Sequence, residues 1–364
     1  MTGKERILCA LQGGQPDRVP LFEAYINEPV VVRLADLLLP PHASIRSLQD
    51  RSGEERLEIT DLYCRLVETL DLDSTCTTYS TGLTHLDARH ARDKFGTMWA
   101  LSEHGEPLPV EGPIKGRTDL LVGFEMASKL ERTDFSTVQH VIDRLGADRE
   151  HFVSIPDPFK VTWSLRGGME QLMVDYALDP DLVLDLTRIA TTYVKAAIDV
   201  AADLGADVIL LSGDFAGEDT LLMSPQHFRT YIKPFHREIV QHTHARGLRI
   251  VKHSDGNMWP ILDDILDVGF DGFHPVQPQC MDIAAVKRHL RGRACIIGNI
   301  DCRHLLPFGR EAEVTSAVRG TIDQAAPGGG HILSSSNTIH PGCKAENYLA
   351  MVAAAREYGR YPLG

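Results

Sequence analysis

His253 and Asp255 stand two residues apart at the end of an apolar run, in LRIVKHSDGN (248–257). Alternate side chains of an extended chain share a face, so this imidazole and this carboxylate look the same way. Such a pair suits general acid/base work, and it equally suits a Zn²⁺ site that keeps an open coordination position. Other apolar runs end alike. Reading their ends in chain order gives Glu23, Thr78–Tyr79–Ser80, Asp157, Asp214, His253 with Asp255, His274, Asn299 with Asp301, and Ser335–Asn337. A single terminal Asp is often only the N-cap of the next helix, and Asp157 and Asp301 admit that reading. The loop GDFAGEDT (213–220) adds Glu218, a carboxylate able to reach a metal held by His253. Neither Cys280 nor Cys302 has neighbours that would activate a thiol.

Side chains from so many runs meet only if the runs lie side by side. Eight are recognisable: 18–24, 73–80, 151–157, 206–214, 248–255, 269–276, 294–301 and 331–337. Amphipathic helical patterns separate them. One spans 181–205, one lies around 52–70, and one covers 224–247 with Ser224 as N-cap, Pro225 at its first position and Gly247 beyond its end. A further helix, 311–326, stops at Pro327 and three glycines that make a tight turn. Residues 93–117 are short, alternating and turn-rich, as in a β-hairpin. Continuous apolar strands imply burial on both faces, hence a parallel sheet with helical crossovers. Eight such units predict an α/β chain forming a single (β/α)₈ TIM barrel over 1–364, with a β-hairpin insertion after the second strand. A doubly wound open sheet is the rival, but no GxGxxG or P-loop follows the first strand. In the barrel, these strand ends ring the active-site face.

Composition narrows the partners. The chain has 364 residues, 43% hydrophobic and 24% charged, with a net charge of −13. That charge argues against nucleic acid, anionic membranes and highly anionic substrates. No apolar run approaches the ~18 residues of a membrane span. The N-terminus reads as an amphipathic helix instead of a signal peptide. Seven scattered cysteines without a CxxC fit reduced thiols and a cytoplasmic location.

Several stretches together resemble the uroporphyrinogen decarboxylase (URO-D) superfamily: RVPLFE, GDFAGEDTLLMSPQHFRTYIKPF, VKHSDGN, GNID and PGGGHILSSSNTIHPGCKAENYLAMV, in order along the chain. The resemblance implies a barrel with a deep cleft at the strand C-termini, and it offers two activities. True uroporphyrinogen decarboxylases carry an arginine-rich loop after the first strand; here that place reads EAYINEPVV. The resemblance is nearer to the corrinoid-dependent methyltransferase branch. Its coenzyme M members bind Zn²⁺ through H-x-C and a later cysteine, where this chain has His253, Asp255 and Asn337. The resemblance therefore implies a Zn²⁺ site of His253, Asp255 and Glu218, with oxygen ligands that favour Lewis acidity over thiol binding. It further implies an O-demethylation-type methyltransferase, acting on a small methylated or methoxylated aromatic substrate. The methyl group would pass to the corrinoid of a separate partner protein, since no D-x-H-x-x-G motif is present. His253, Asp255, Asp214 and Glu23 are expected to be catalytic, and Asp157, Phe159, Tyr79, His274 and Asn337 to touch the substrate. A homodimer is compatible with this reading. The alternative is a decarboxylase or lyase on a small carboxylic acid, with His253 as proton donor; a binding protein without turnover is a third class.

Overall fold

Most of the apolar runs pair as one parallel sheet in a computed structural model that describes residues 1–41, 53–101 and 107–363. The strands are β1 (Ser74–Thr78), β2 (Leu83–His85), β3 (His90–Asp93), β4 (Met98–Leu101), β5 (Pro107–Glu111), β6 (Glu150–Pro156), β7 (Val208–Ser212), β8 (Arg249–His253), β9 (Gly272–His274), β10 (Cys295–Ile297) and β11 (His331–Ile332). Seven of them form a curled sheet in the order β1-β6-β7-β8-β9-β10-β11, every pair parallel. Parallel neighbours need crossovers, and helices supply them: Pro180–Asp203 before β7, Lys233–Ala245 before β8, Leu262–Val268 before β9, Ile283–Leu290 before β10 and Glu311–Ala325 before β11.

The two edges of the sheet both meet the segment around Leu21. Leu21 makes a parallel bridge to Leu333, and the Phe22 amide donates to the Leu333 carbonyl at 3.0 Å. On the β1 side the contacts run through side chains: the Leu21 amide donates to Asp73 Oδ2 at 2.9 Å and Ser74 Oγ donates to the Leu21 carbonyl at 3.3 Å. Among the described residues only side-chain hydrogen bonds join this side, so RVPLFEA carries two isolated bridges, Arg18 to Arg360 and Leu21 to Leu333, and no full strand.

Side-chain parity sorts the core. Phe152, Val208, Leu210, Val251, Cys295, Ile297 and Ile332 join Phe22 and Cys76 in one cluster, and the helix Gly3–Leu11 adds Ile7, Ala10 and Leu11 to it. Their alternates Val153, Ile209, Leu211 and Ile250 belong to a second cluster with the helices. The first helix thus seats its apolar side among the inward residues of the strands, with Thr2 and Glu5 forming a capping box at its start.

Two local features differ from expectation. The region read as a hairpin is a four-stranded antiparallel sheet in the order β2-β3-β4-β5, starting at Leu83. The helix expected over 224–247 is capped as predicted, with Ser224 accepting from the His227 amide and Gly247 at φ +78. It is interrupted by a π turn at Phe228–Ile232, where the Lys233 amide reaches the Phe228 carbonyl. Pro234 has no amide proton for the regular ladder, and the wider turn accommodates that loss. No helix among the described residues is long and apolar enough to cross a membrane. All seven cysteines are free.

Gly328, Gly329 and Gly330 turn with φ of +81, +84 and +67, and a Cβ on Gly329 would lie 2.3 Å from the Gly14 carbonyl oxygen, whereas one on Gly328 meets nothing within 4 Å. Left-handed backbone alone costs a non-glycine residue about 1–2 kcal/mol. Gly328→Ala is therefore expected to lower unfolding free energy by about that amount in a urea melt. Gly329→Ala must add displacement of the Gly14 backbone and lose clearly more; equal losses would remove the packing role of this turn.

Candidate active site

Strand β8 delivers its side chains alternately. Val251 belongs to the inner cluster, Lys252 points the other way, and His253 returns to the inner side at the strand end. In register beside it come Ser212 on β7 and His274 on β9. Thr78 and Ser154 are partners across β1 and β6. Above the inner apolar layer these residues surround a cavity of about 170 Å³, lined by Ala24, Tyr25, Thr77, Thr78, Ser154, Leu210, Ser212, His253, Asn337 and Thr338.

At its edge the ligand atoms of Asp214, His253 and Asp255 lie within 4.8 Å of one another. His253 Nε2 is 3.8 Å from Asp214 Oδ1 and 4.0 Å from Asp255 Oδ1, too far for hydrogen bonds. The backbone locks this arrangement, since the Asp255 amide donates to Asp214 Oδ1 at 2.9 Å. Asn337 Nδ2 donates to Asp255 Oδ2 at 2.5 Å, while Asp255 Oδ1 is buried without a hydrogen-bond partner among the described residues. On its other side His253 Nδ1 faces His274 Nδ1 at 2.7 Å.

The electrostatics follow from burial. Burial first, then Lys252 and Lys160, pull the His253 imidazole down to about 3, so it is neutral at physiological pH. Burial, then the Asp214 charge, push the Asp255 carboxyl up to about 8. Two carboxylates and a neutral imidazole, with one carboxylate oxygen unpaired, form a donor set that lacks positive charge. Metal bonds of about 2.0–2.2 Å place tetrahedral ligand atoms about 3.3–3.6 Å apart, slightly closer than the 3.8 and 4.0 Å found here. With a small side-chain adjustment the residues fit a divalent cation.

The structure brings together His253, Asp255, Asp214, His274 and Asn337. It places the other predicted residues elsewhere. Glu218 is ion-paired with Arg303, outside the His253 cluster; Asp214, from the same loop, occupies the third corner. Asp157 is fully buried. It caps the helix Pro158–Arg166 by accepting from the Phe159 amide, and its Oδ2 binds His236 Nε2 at 2.7 Å and Lys252 Nζ at 2.8 Å. Phe159 is buried and stacks on Phe215 at 5.2 Å. Tyr79 stacks on Phe135 and hydrogen-bonds the Tyr193 hydroxyl at 2.8 Å, so its polar end is already engaged away from the cavity. Glu23 is buried one residue below the cavity wall, where it accepts from the Ser335 hydroxyl at 2.6 Å and from the Ser335 amide. Gly256, at φ +87, is closely approached by backbone: a Cβ there would meet the Ala216 carbonyl oxygen at 2.4 Å. Sequence reasoning passed over Ser154 and Ser212. Each is a polar residue in phase with the inward apolar positions Phe152 and Leu210, and that break in the pattern was the available signal.

A family model described as Uroporphyrinogen decarboxylase (URO-D) matches residues 128–358. The uroporphyrinogen decarboxylase of Coxiella burnetii (strain RSA 493 / Nine Mile phase I) is 24% identical over 180 residues, 49% of this chain and 48% of that protein. The uroporphyrinogen decarboxylase of Thioalkalivibrio sulfidiphilus is 22% identical over 186 residues, 50% of each chain. The chain thus spans about half the length of the curated relatives it matches. Among solved structures, a methyltransferase from Methanosarcina mazei is similar with a TM-score of 0.73 and 22% identity, covering 98% of this chain and 99% of that one. At that identity the likeness speaks for the fold.

Glu23 yields a pH-dependent prediction. Burial, opposed by the Ser335 hydrogen bonds, raises its carboxyl from 4.5 to about 8. The folded state therefore holds this proton more tightly than the unfolded one. Its stabilisation is full below about 4.5 and is lost as pH rises towards about 8, at about 1.4 kcal/mol per pKa unit. Glu23→Gln keeps an acceptor for Ser335 and removes the titration. Urea melts from pH 5 to 8 should show a wild-type decline that is several kcal/mol shallower in Glu23→Gln, on the order expected from the linkage. Parallel declines would contradict a buried, protonated Glu23.

Proposed function

The chain belongs to the uroporphyrinogen decarboxylase (URO-D) family, and from that premise we propose a methyltransferase taking a methyl group from a small methylated, methoxylated-aromatic type of substrate. The acceptor in this reading is the corrinoid of a separate partner protein. The fold is read as one (β/α)₈ barrel over 1–364, with the segment around Leu21 in the place of the first strand and β2–β5 as an excursion after the second.

The observation that carries the reading is the Asp214–His253–Asp255 cluster at the rim of a small cavity whose lining, among the described residues, holds no lysine or arginine. Pockets for drug-sized ligands run to about 300–1,000 Å³, and a tetrapyrrole bearing many carboxylates needs both volume and cations. A cavity of about 170 Å³ edged by two aspartates offers neither, and this supports a small substrate over uroporphyrinogen. A fold shared with a methyltransferase agrees with that choice.

His253 Nε2, Asp214 and Asp255 are the groups that would hold a divalent cation, which when bound supplies Lewis-acid polarisation of a substrate oxygen. The remaining work falls to the chain. Ser154, Ser212 and Thr78 offer hydroxyls that orient a polar substrate end over the apolar floor at Leu210. Asn337 holds one oxygen of Asp255 and so leaves the other directed to the site. In the protein without a cation, Asp255 keeps its proton at neutral pH and can give it to the departing oxygen. The carbon–oxygen bond would break with its electron pair on oxygen, and a partner's corrinoid, as Co(I), would supply the pair that the methyl carbon takes.

The test is stoichiometric. Protein with Zn²⁺ is incubated anaerobically with free Co(I) cobalamin and 2-methoxyphenol or methoxylated benzoates, and methyl–cobalt formation is followed by absorbance. Methyl transfer by wild type, reduced about 100-fold or more in a folded His253→Ala variant, is expected. Absence of transfer together with coproporphyrinogen formation from uroporphyrinogen, or CO₂ release from a small acid, would replace this reading with the decarboxylase one.

A further inference from the structure

His274 has no part in the scheme above, yet it is fully buried and is the hydrogen-bond partner of His253. The two rings are neighbours by register, His253 and His274 being Cα partners across β8 and β9. Their Nδ1 atoms are 2.7 Å apart, and their planes are inclined by 29° at 4.9 Å between centroids. An edge of Phe22 closes another side of His274 at 5.6 Å. Its Nε2 is buried without a partner among the described residues.

Two neutral imidazoles facing Nδ1 to Nδ1 require one proton between them. Two protons would collide, and none would set two lone pairs against each other. The position of that single proton decides what His253 shows at its far nitrogen. If His253 donates, its Nε2 is a bare lone pair turned towards Asp214 and Asp255. If His274 donates, His253 Nε2 carries a hydrogen and cannot ligate. Among the described residues nothing else contacts His253 Nδ1 at hydrogen-bonding distance, so a cation on His253 Nε2, which needs that nitrogen bare, leaves the shared proton on His253 Nδ1 with His274 Nδ1 as its acceptor.

We propose that His274 is the positioning residue of this site: its Nδ1 accepts from His253 Nδ1–H and thereby presents His253 Nε2 bare to a divalent cation. The statement rests on the function proposed above: the ring pair fixes that one proton is shared, and a cation on Nε2 fixes that His253 carries it. The arrangement is a second imidazole where metal-binding histidines commonly use a carboxylate or a carbonyl. An imidazole acceptor carries no charge, so it fixes the tautomer without adding a third negative group beside Asp214 and Asp255.

The experiment combines ring ¹⁵N NMR with Zn²⁺ titration for wild type, His274→Phe and His274→Asn, each checked for fold by circular dichroism. Asparagine keeps an acceptor near the Nδ1 position; phenylalanine fills the space without one. Expected for Zn²⁺-loaded wild type is a His253 ring protonated at Nδ1 and bare at Nε2. His274→Phe should bind Zn²⁺ about 10- to 100-fold more weakly, and His274→Asn should recover most of that affinity. Zn²⁺ affinity within twofold of wild type in a folded His274→Phe, with an unchanged His253 ring spectrum in the loaded protein, overturns the proposal and leaves the cation reading standing. If wild type itself binds no Zn²⁺, the cation reading fails and the proposal with it. Should phenylalanine prevent folding, His274→Asn decides: Zn²⁺ binding about 10-fold or more weaker there, with an acceptor present, contradicts the assignment.

Discussion

A lysine ammonium with no solvent exposure sits directly behind the site, and its needs organise the strands around it. Lys252 lies on β8 between inward Val251 and inward His253, so parity sends it outward into the layer of helices. A charge there must be paired and hydrogen-bonded. Its Nζ donates to Asp157 Oδ2 at 2.8 Å, to the Gly213 carbonyl at 3.0 Å and to the Leu211 carbonyl at 3.3 Å. Burial lowers the Lys252 pKa, against the pull of Asp157. Burial alone would raise Asp157, yet His236 and Lys252 hold its carboxyl well below the usual range. Stranding one member of such a pair costs about 3–5 kcal/mol. β6, β7 and β8 are therefore held together where the site begins, with Asp214 following the bonded Gly213 and His253 following Lys252.

From this clamp the chemistry of the rim follows. Lys252, after burial itself, is among the causes that keep His253 neutral. The Asp255 amide on Asp214 and the Asn337 amide on Asp255 then hold two carboxylates near one imidazole nitrogen. Proximity of like charge is part of what raises Asp255, and a cation relieves it. Below the rim the inner cluster from Phe22 to Ile332, with Ile7, Ala10 and Leu11 of the first helix, gives the cavity an apolar floor.

Much of this was legible from the amino-acid order, because strand parity is a local property. The H-x-D spacing put His253 and Asp255 on one face, and the runs named as strands are those that pair, apart from the Leu21 segment. The caps Ser224 and Gly247 were equally readable. What escaped depends on contacts between distant segments. Glu218 and Asp214 are four residues apart in one loop, and only the position of Arg303 draws Glu218 aside. Asp157 looked like a cavity residue because its partners, Lys252 and His236, lie 95 and 79 residues away. Tyr79 turns to Tyr193, 114 residues on. Residues 93–117 showed alternation without revealing that the antiparallel pairing begins ten residues earlier, at Leu83.

The central claim is that Asp214, His253 and Asp255 hold a divalent cation. Anomalous diffraction at the zinc absorption edge, on crystals grown with stoichiometric Zn²⁺, tests it most directly. The account predicts one strong peak within bonding distance of His253 Nε2 and of an oxygen from each aspartate, with Glu218 still on Arg303. A peak elsewhere, or none at this cluster under conditions where the protein is folded and Zn²⁺ is in excess, would contradict it.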